Sequence, residues 1–373
     1  MNVLSIGTDR KIFENESAVY SRSKDYASKV HEYHSIVFSL KNHNLKAYKH
    51  ENLFVYPTNS SYRILYILDA IKIGKDIIKK AGFSGNNTVV SCQDPFETGI
   101  VGYFLSKKFF IPLQLQIHTD FLSPYFKKNF LNIIRVFIAK FLVPRAQGIR
   151  VVSSVICDSI KNRFPNLKSR IDILPIFVDL KKKDEVVVGK ESNSKNILIA
   201  SRLTKEKRID VAIKSFKKVL DKVSDVKLII AGDGPEKVNL LELVKKLNMS
   251  DGISFFGWQN DIFSIYPNAQ IFLLTSEYEG YGMTLIEAGA SGLPIVTTEV
   301  GIAKTDIFKN GENSFVCPVG DVDCLSRSLI DLVTNEEKRK LFSERMKDSI
   351  RRVEITKEEY VSKYVDLLKK LLK

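Results

Sequence analysis

The chain has 373 residues, 44% of them hydrophobic, which suits two ordinary domains with real cores and excludes a disordered chain. Its formal net charge of +14 favours anionic partners, yet the basic residues are spread rather than set around a stacking platform, which argues against nucleic acid. No apolar run reaches the roughly 20 residues that cross a bilayer, and four scattered cysteines without C-x-x-C spacing suit a reducing cytosol and argue against a zinc site or disulfide framework.

Met1–Ile6 reads as a first strand rather than a cleavable signal. The polar loop Thr8–Ser21 after it reads as a solvated connection or as part of a site. Further strands are predicted at Leu53–Tyr56, Thr88–Ser91, Leu113–Ile117 and Gly148–Val152, with helices between them, for example around Ser61–Ala81. This alternation predicts a parallel, doubly wound sheet. Asp94, just past the strand Thr88–Ser91, is placed to cap the next helix. His118 follows Leu113–Ile117 at the carboxyl end of its strand, where open α/β sheets bind ligands. Taken alone, it reads equally as a packed strand-end histidine.

Tyr125–Val143 reads as one amphipathic helix. Phe126, Phe130, Ile133, Ile134, Phe137 and Phe141 make its apolar face, and Lys128, Asn132, Arg135 and Ala139 run along the other. The segment contains no acid. It is expected either to pack on the sheet with a solvated basic face or to contact an anionic membrane surface. The first domain spans 1–179, and the polar run 180–195 reads as a linker.

A second α/β domain, 196–335, opens with the strand Asn196–Ala200. The loop Ser201–Arg208 carries Arg202, Lys207 and Arg208. Val226–Ala231 is a buried strand followed by the turn Gly232–Pro235, and Ile253–Trp258 is the next strand and turn, ending on the sole tryptophan. Lys237 takes the place of the third glycine of a dinucleotide fingerprint, so that reading fails. Ile271–Leu274 is a further buried strand; the loop after it holds Glu279, Gly280 and Gly282. A helix over about Thr284–Ser291 follows, stopped by Gly292, with Pro294 beyond. Strand, glycine loop and helix N-terminus together can hold a phosphate or sugar hydroxyls. Thr284 and Glu287 also fit a capping box. Asp321 and Asp323 precede the helix Leu325–Val333, and capping is the stronger reading of that pair. Residues 336–373 are helical and highly charged.

The stretch EGYGMTLIEAGASGLPIV, Glu279–Val296, closely resembles the two-glutamate motif EGFGLxxLEAMAxGxPVV of retaining glycosyltransferases of the GT-B fold, family 4 type, or glycosyl transferases group 1. Ser201–Arg208 resembles that family's GRLxxxKG signature, with serine and arginine in place of the two glycines. Gly232–Pro235 and the loop at Asp94 also look like family turns, while the glycine pair common in the first loop is lacking. The resemblance implies two Rossmann-like domains facing across a cleft, a final helical segment returning to the first domain, and no metal. It implies that Arg202 and Lys207 bind the donor diphosphate, Glu279 and His118 serve the donor sugar, and Glu287 binds the ribose. The N–H groups of Gly282, Met283 and Thr284 would face the sugar and diphosphate, and Trp258 would lie by the base unless it packs in the core. The expected activity is transfer of a sugar, with retention, from a nucleotide-diphosphate sugar to a glycan or lipid-linked acceptor in cell-surface glycan assembly. The expected place is the cytoplasm, at the inner face of a membrane. A nucleotide-sugar epimerase, or a non-catalytic member of a glycan-assembly complex, is the alternative.

Overall fold

The computed structural model describes residues 1–180 and 195–372, so residues 181–194 of the expected linker lie outside it. The chain forms two compact units, Met1–Pro175 with Ile355–Lys373, and Ile176–Glu354.

In the first unit, β1 (Asn2–Gly7), β2 (Glu32–Val37), β3 (Tyr48–His50), β4 (Leu53–Pro57), β5 (Thr88–Cys92), β6 (Leu113–Ile117), β7 (Gly148–Val151) and β8 (Arg170–Ile173) form one sheet in the order β3-β4-β2-β1-β5-β6-β7-β8. Only the edge strand β3 is antiparallel. The helices are α1 (Ala18–Ala27), α2 (Tyr66–Ala81), α3 (Glu97–Phe109), α4 (Phe130–Leu142) and α5 (Ser154–Arg163). β1 and β5 are buried along their whole length, as strands covered by helices on both faces must be. The sequence reading missed β2, whose apolar run is broken by His34 and Ser35. In the fold His34 is accommodated by stacking on Phe54 and by the Glu32 carboxylate at 3.0 Å.

Gln114, Gln116 and Arg150 project from β6 and β7 into buried surroundings, and each is satisfied there. Ser91 Oγ donates to Gln114 Oε1, and Gln116 Nε2 donates to Ser91 Oγ, both at 3.0 Å. Arg150 donates to Gln116 Oε1 (2.8 Å), to the carbonyls of Leu174 (3.2 Å) and Pro175 (3.1 Å), and to Tyr360 Oη (2.6 Å). Tyr360 belongs to a helix, Lys357–Lys369, which starts with a true capping box between Thr356 and Glu359.

Helix α4 corrects the sequence reading. The expected single helix Tyr125–Val143 breaks at Asn129, whose side chain caps Phe130–Leu142 after a short 3-10 turn at Phe126–Lys128. Its inner face is Val136, Ala139 and Leu142, while Phe130, Ile133, Ile134, Phe137 and Phe141 point outward. Ala139, expected on the polar side, is fully buried, and Arg135 is paired with Glu97 at 2.9 Å.

The second unit has an all-parallel sheet in the order β11-β10-β9-β12-β13-β14. Its strands are β9 (Lys195–Ala200), β10 (Val226–Ala231), β11 (Ile253–Gly257), β12 (Ile271–Leu274), β13 (Ile295–Thr298) and β14 (Ser314–Cys317). Its helices are α6 (Ile209–Leu220), α7 (Lys237–Lys246), α8 (Met283–Ala290), α9 (Val322–Thr334) and α10 (Glu336–Arg351). The helical segment 336–373 divides: α10 lies in this unit, and α11 (Lys357–Lys369) lies in the first. Cys317 and Cys324 form a disulfide, against the expectation of unlinked thiols, because the turn from β14 into α9 brings their Cα atoms to 5.8 Å. Cys92 and Cys157 are free and buried.

Candidate active site

The strands β9 to β12 are parallel, so the loops after Ala200, Ala231, Gly257 and Leu274 leave from one edge of the second sheet. Main-chain bonds lace three of them together. Ser201 N–H donates to Ala231 O (3.0 Å), Leu203 N–H to Asp233 O (2.9 Å) and Gly232 N–H to Gly257 O (2.7 Å). The close approach requires glycine: a Cβ at Gly232 would stand 1.8 Å from Ser201 O, and one at Gly234 2.5 Å from Leu203 O. The Gly232–Pro235 turn therefore holds up the loop that carries Arg202.

Lys207 ends a one-turn 3-10 helix, and its Nζ lies 2.6 Å from Glu279 Oε1 in the loop after β12. Ser276 Oγ donates to the same oxygen at 2.7 Å. The two loops are stitched further by Thr275 Oγ1 donating to the carbonyls of Lys207 and Arg208, and by Glu277 N–H donating to Glu206 O at 2.8 Å. Arg202 is exposed, with Glu206 Oε1 3.7 Å from its guanidinium. Arg208, which stands where the family motif has glycine, adopts a positive φ of 49°. Its guanidinium is engaged by Asp210 (3.0 and 3.3 Å) and by Glu277 (3.7 Å). It acts as a structural brace between the two loops.

Gly282, at φ 99°, caps α8, a conformation that suits a residue without Cβ. The expected capping box is not formed. With Gly282 as the cap, Thr284 is the second helical residue, and the Glu287 carboxylate is taken by Tyr266, whose hydroxyl donates to Oε2 at 3.1 Å. Burial pushes the Glu287 carboxyl above its ordinary range, partly offset by this bond. The first-turn N–H groups of a helix have no partner within it, so Gly282, Met283 and Thr284 supply donors beside Glu279 in sequence. Trp258 is exposed just past Gly257, its Nε1 donating to Asn260 Oδ1 at 3.2 Å, so the core-packing alternative is excluded.

His118 sits in the first unit at the end of β6. Burial, reinforced by Arg150 and Arg22, lowers its pKa to about 3, so the ring is neutral. Asp94, two residues before the cap Phe96, accepts from Phe96 N–H (2.8 Å) and from the first-turn Thr98 N–H of α3 (3.3 Å), with burial raising its carboxyl to about 6. Asp321 caps α9 through Cys324 N–H, and Asp323 pairs with Lys218. A 420 Å³ cavity lined by Gln270, Pro294 and Lys347 lies at the amino ends of β12 and β13, the wrong end of a parallel sheet for the usual ligand site.

Of the residues named from sequence, the fold joins Lys207 directly to Glu279 and sets Arg202, Gly282, Met283, Thr284, Glu287 and Trp258 in the loops and helix that follow the strand ends of the second unit. Sequence reasoning missed Ser276 and Tyr266. Ser276 was readable as a polar residue just after a buried strand; Tyr266, 21 residues before its partner, carried no local signal.

Residues 181–349 match the glycosyl transferases group 1 family. The chain is 32% identical over 231 residues to N-acetyl-alpha-D-glucosaminyl L-malate synthase of Bacillus anthracis, covering 59% of this chain and 60% of that protein. It is 28% identical over 229 residues to alpha-monoglucosyldiacylglycerol synthase of Streptococcus pneumoniae, covering 56% of this chain and 51% of that one. The chain thus spans between half and two thirds of these relatives. Its fold is similar to that of HepE of Anabaena, solved in complex with UDP, with a TM-score of 0.74 at 17% identity over 99% of this chain and all of HepE. Residues 181–349 are therefore similar in sequence to the glycosyl transferases group 1 family, and the described residues have the two-domain, parallel-sheet fold of the GT-B glycosyltransferases.

Proposed function

We propose that this protein is a retaining glycosyltransferase of the family 4 type, moving a sugar from a nucleotide-diphosphate sugar to a glycan or lipid-linked acceptor in cell-surface polysaccharide or glycoconjugate assembly. The observation that carries this reading is the Lys207–Glu279 pair, held at 2.6 Å beside the cap of α8 within the region similar to the group 1 family. Arg202 and Lys207 bind the donor diphosphate, where a forked guanidinium and a compact ammonium complement each other. The N–H groups of Gly282, Met283 and Thr284 add donors at a helix N-terminus. Glu279 takes sugar hydroxyls, Glu287 the ribose, and Trp258 the base by stacking. His118 serves the sugar as a neutral hydrogen-bonding group. Transfer proceeds on one face of the sugar. The anomeric bond to diphosphate breaks, the bond to the acceptor oxygen forms, and the acceptor proton leaves with the diphosphate, whose charge Arg202 and Lys207 stabilise. No metal is required in this scheme. Support comes from the UDP held by HepE and from the names of both relatives, synthases of a glucosaminyl malate and of a monoglucosyldiacylglycerol. The acceptor is met at the inner face of a membrane, without a spanning helix among the described residues.

A thermal-shift screen of UDP-, GDP- and ADP-sugars tests donor binding, since a ligand specific for the native state raises its stability. A matching assay with donor alone must show no sugar interconversion; epimerisation without acceptor would replace transfer by the epimerase reading.

A further inference from the structure

The outward face of α4 is unusual for a protein surface. Phe130 is 77% exposed and Phe137 67%, with Leu131, Ile133, Ile134 and Phe141 also exposed beside them. The positions 130, 133/134, 137 and 141 follow the helical repeat and make one stripe. Helix α4 needs only its small inner face of Val136, Ala139 and Leu142 to seat on the domain, so the aromatic stripe is surplus to folding. It continues onto α3. The Phe141 ring lies 5.5 Å from that of Tyr103, which adjoins Phe104, itself half exposed. Beyond α3, Phe110 is 88% exposed at a positive φ of 55°. At the carboxyl end of α3, next to the stripe, lies a groove of about 610 Å³ whose lining includes Tyr103, Lys107, Phe110, Arg145, Gln147 and Leu371. Contiguous apolar patches of this kind mark interaction sites.

The charge around the patch selects the partner. Lys107, Lys108, Lys127, Lys140 and Arg145 flank the aromatic residues in sequence, and Lys107 and Arg145 also line the groove. Arg145 lies 3.8 Å over the Phe141 ring and Lys140 5.8 Å from that of Phe137, so cations and aromatics are interleaved. Glu97, an acid that reaches α4, is bound by Arg135. A second copy of this face would bring like charges together, whereas an anionic bilayer offers both an apolar phase and negative headgroups.

We infer that the α3–α4 face of the first unit docks on an anionic lipid bilayer. Phe130, Phe137 and Phe141, with Phe104 and Phe110, enter the boundary between headgroups and acyl chains, and Lys107 and Arg145 take a headgroup phosphate in the groove. This deepens, and rests on, the membrane-side part of the proposed function; it is independent of which donor is used.

The test is co-sedimentation of the full chain with vesicles of phosphatidylcholine containing about one third phosphatidylglycerol, against pure phosphatidylcholine. Wild-type protein should bind the anionic vesicles at low salt at least tenfold more tightly than the neutral ones, and 0.5 M salt should weaken binding, as screening requires. The double variant Phe130→Ser, Phe137→Ser should lose tenfold or more. Lys107→Gln and Arg145→Gln should each lose about fivefold, the scale expected for one basic residue at an anionic surface. The serine changes lie on exposed positions, so the melting temperature should be unchanged; the UDP-induced melting shift, read on the same samples, reports the donor site separately. No binding of wild type to anionic vesicles at low salt, equal binding by the double serine variant, or a vesicle-free dimer of wild type that this variant abolishes would each overturn the proposal.

Discussion

Lys207 Nζ and Glu279 Oε1 stand 2.6 Å apart, with both side chains largely buried. The pair joins the loop after β9 to the loop after β12, and each partner neutralises a charge that would otherwise be costly at that depth. On the proposed function, a lysine held this way would meet the donor diphosphate without having to be ordered first.

Glu279→Gln keeps the size of the side chain and the bond from Ser276, yet loses charge and acceptor strength. Transfer should fall by about 100-fold or more, the scale of losing a transition-state contact, while free nucleotide diphosphate binds within about threefold of wild type. Stability should drop by about 1–3 kcal/mol because Lys207 loses its counter-charge. Calorimetry beside a transfer assay decides; a wild-type transfer rate would remove Glu279 from the site.

Arg202 is exposed and weakly paired, so Arg202→Ala should leave stability within about 0.5 kcal/mol. Binding of nucleotide diphosphate and of intact donor should both weaken by roughly 10–100-fold, the value of one charge-assisted contact. Equal affinities in titration calorimetry would assign the diphosphate elsewhere.

Glu287 gives a pH signature. Its folded carboxyl is raised by burial, so the native state holds its proton more tightly than the unfolded chain. Its contribution is present below the unfolded value, about 4.3, and is lost as pH rises through the higher folded value. Against Glu287→Gln, the wild type should therefore lose relative stability as pH rises over this window. Tyr266→Phe, by removing the bond that favours the carboxylate, should move the window upward. Melting curves from pH 4 to 8 show this, and parallel curves for wild type and Glu287→Gln would mean that the carboxyl is not desolvated.

His118 has the opposite sign. Its folded pKa of about 3 lies below the unfolded value of about 6.5, so the unfolded chain binds the extra proton between them. Stability is intact above 6.5 and declines as pH falls, by about 2 kcal/mol at pH 5. His118→Asn should abolish that part of the acid sensitivity and reduce transfer. The acid limb of the wild-type rate profile should carry no histidine titration near 6.5 from this residue. An NMR titration placing its ring pKa near 6.5 would contradict this account.

The layout of the candidate site was legible in the sequence where the chain itself is local: strand, glycine loop and helix follow one another between Ile271 and Val296, so placing Glu279 and Glu287 on them needed no long-range information. Arg202 and Lys207 were readable for the same reason, lying directly after β9. What escaped depends on neighbours distant in sequence. Tyr266 meets Glu287 only through the fold, and Thr284 has no capping role because Gly282 takes the cap two residues earlier. β2 was hidden because His34 finds its stacking partner on another strand. The apolar stripe of α4 was seen, but which way it faced depends on what α3 and the sheet already cover, and periodicity alone does not carry that information.

Arg150 grips the carbonyls of Leu174 and Pro175, where the first unit's continuous stretch ends, and the hydroxyl of Tyr360, which arrives some 180 residues later. During synthesis at about 5–20 residues per second, the wait between these two segments is roughly 9–36 s. Throughout it, Arg150, Gln116 and Ser91 line a surface whose covering helix has not yet been made. The second unit, continuous in sequence, is made within this interval and is complete at its end. The N-terminal half of this protein is therefore begun first and finished last, and a nascent chain stalled before Ile355 should display an intact second unit beside a first unit still sensitive to protease.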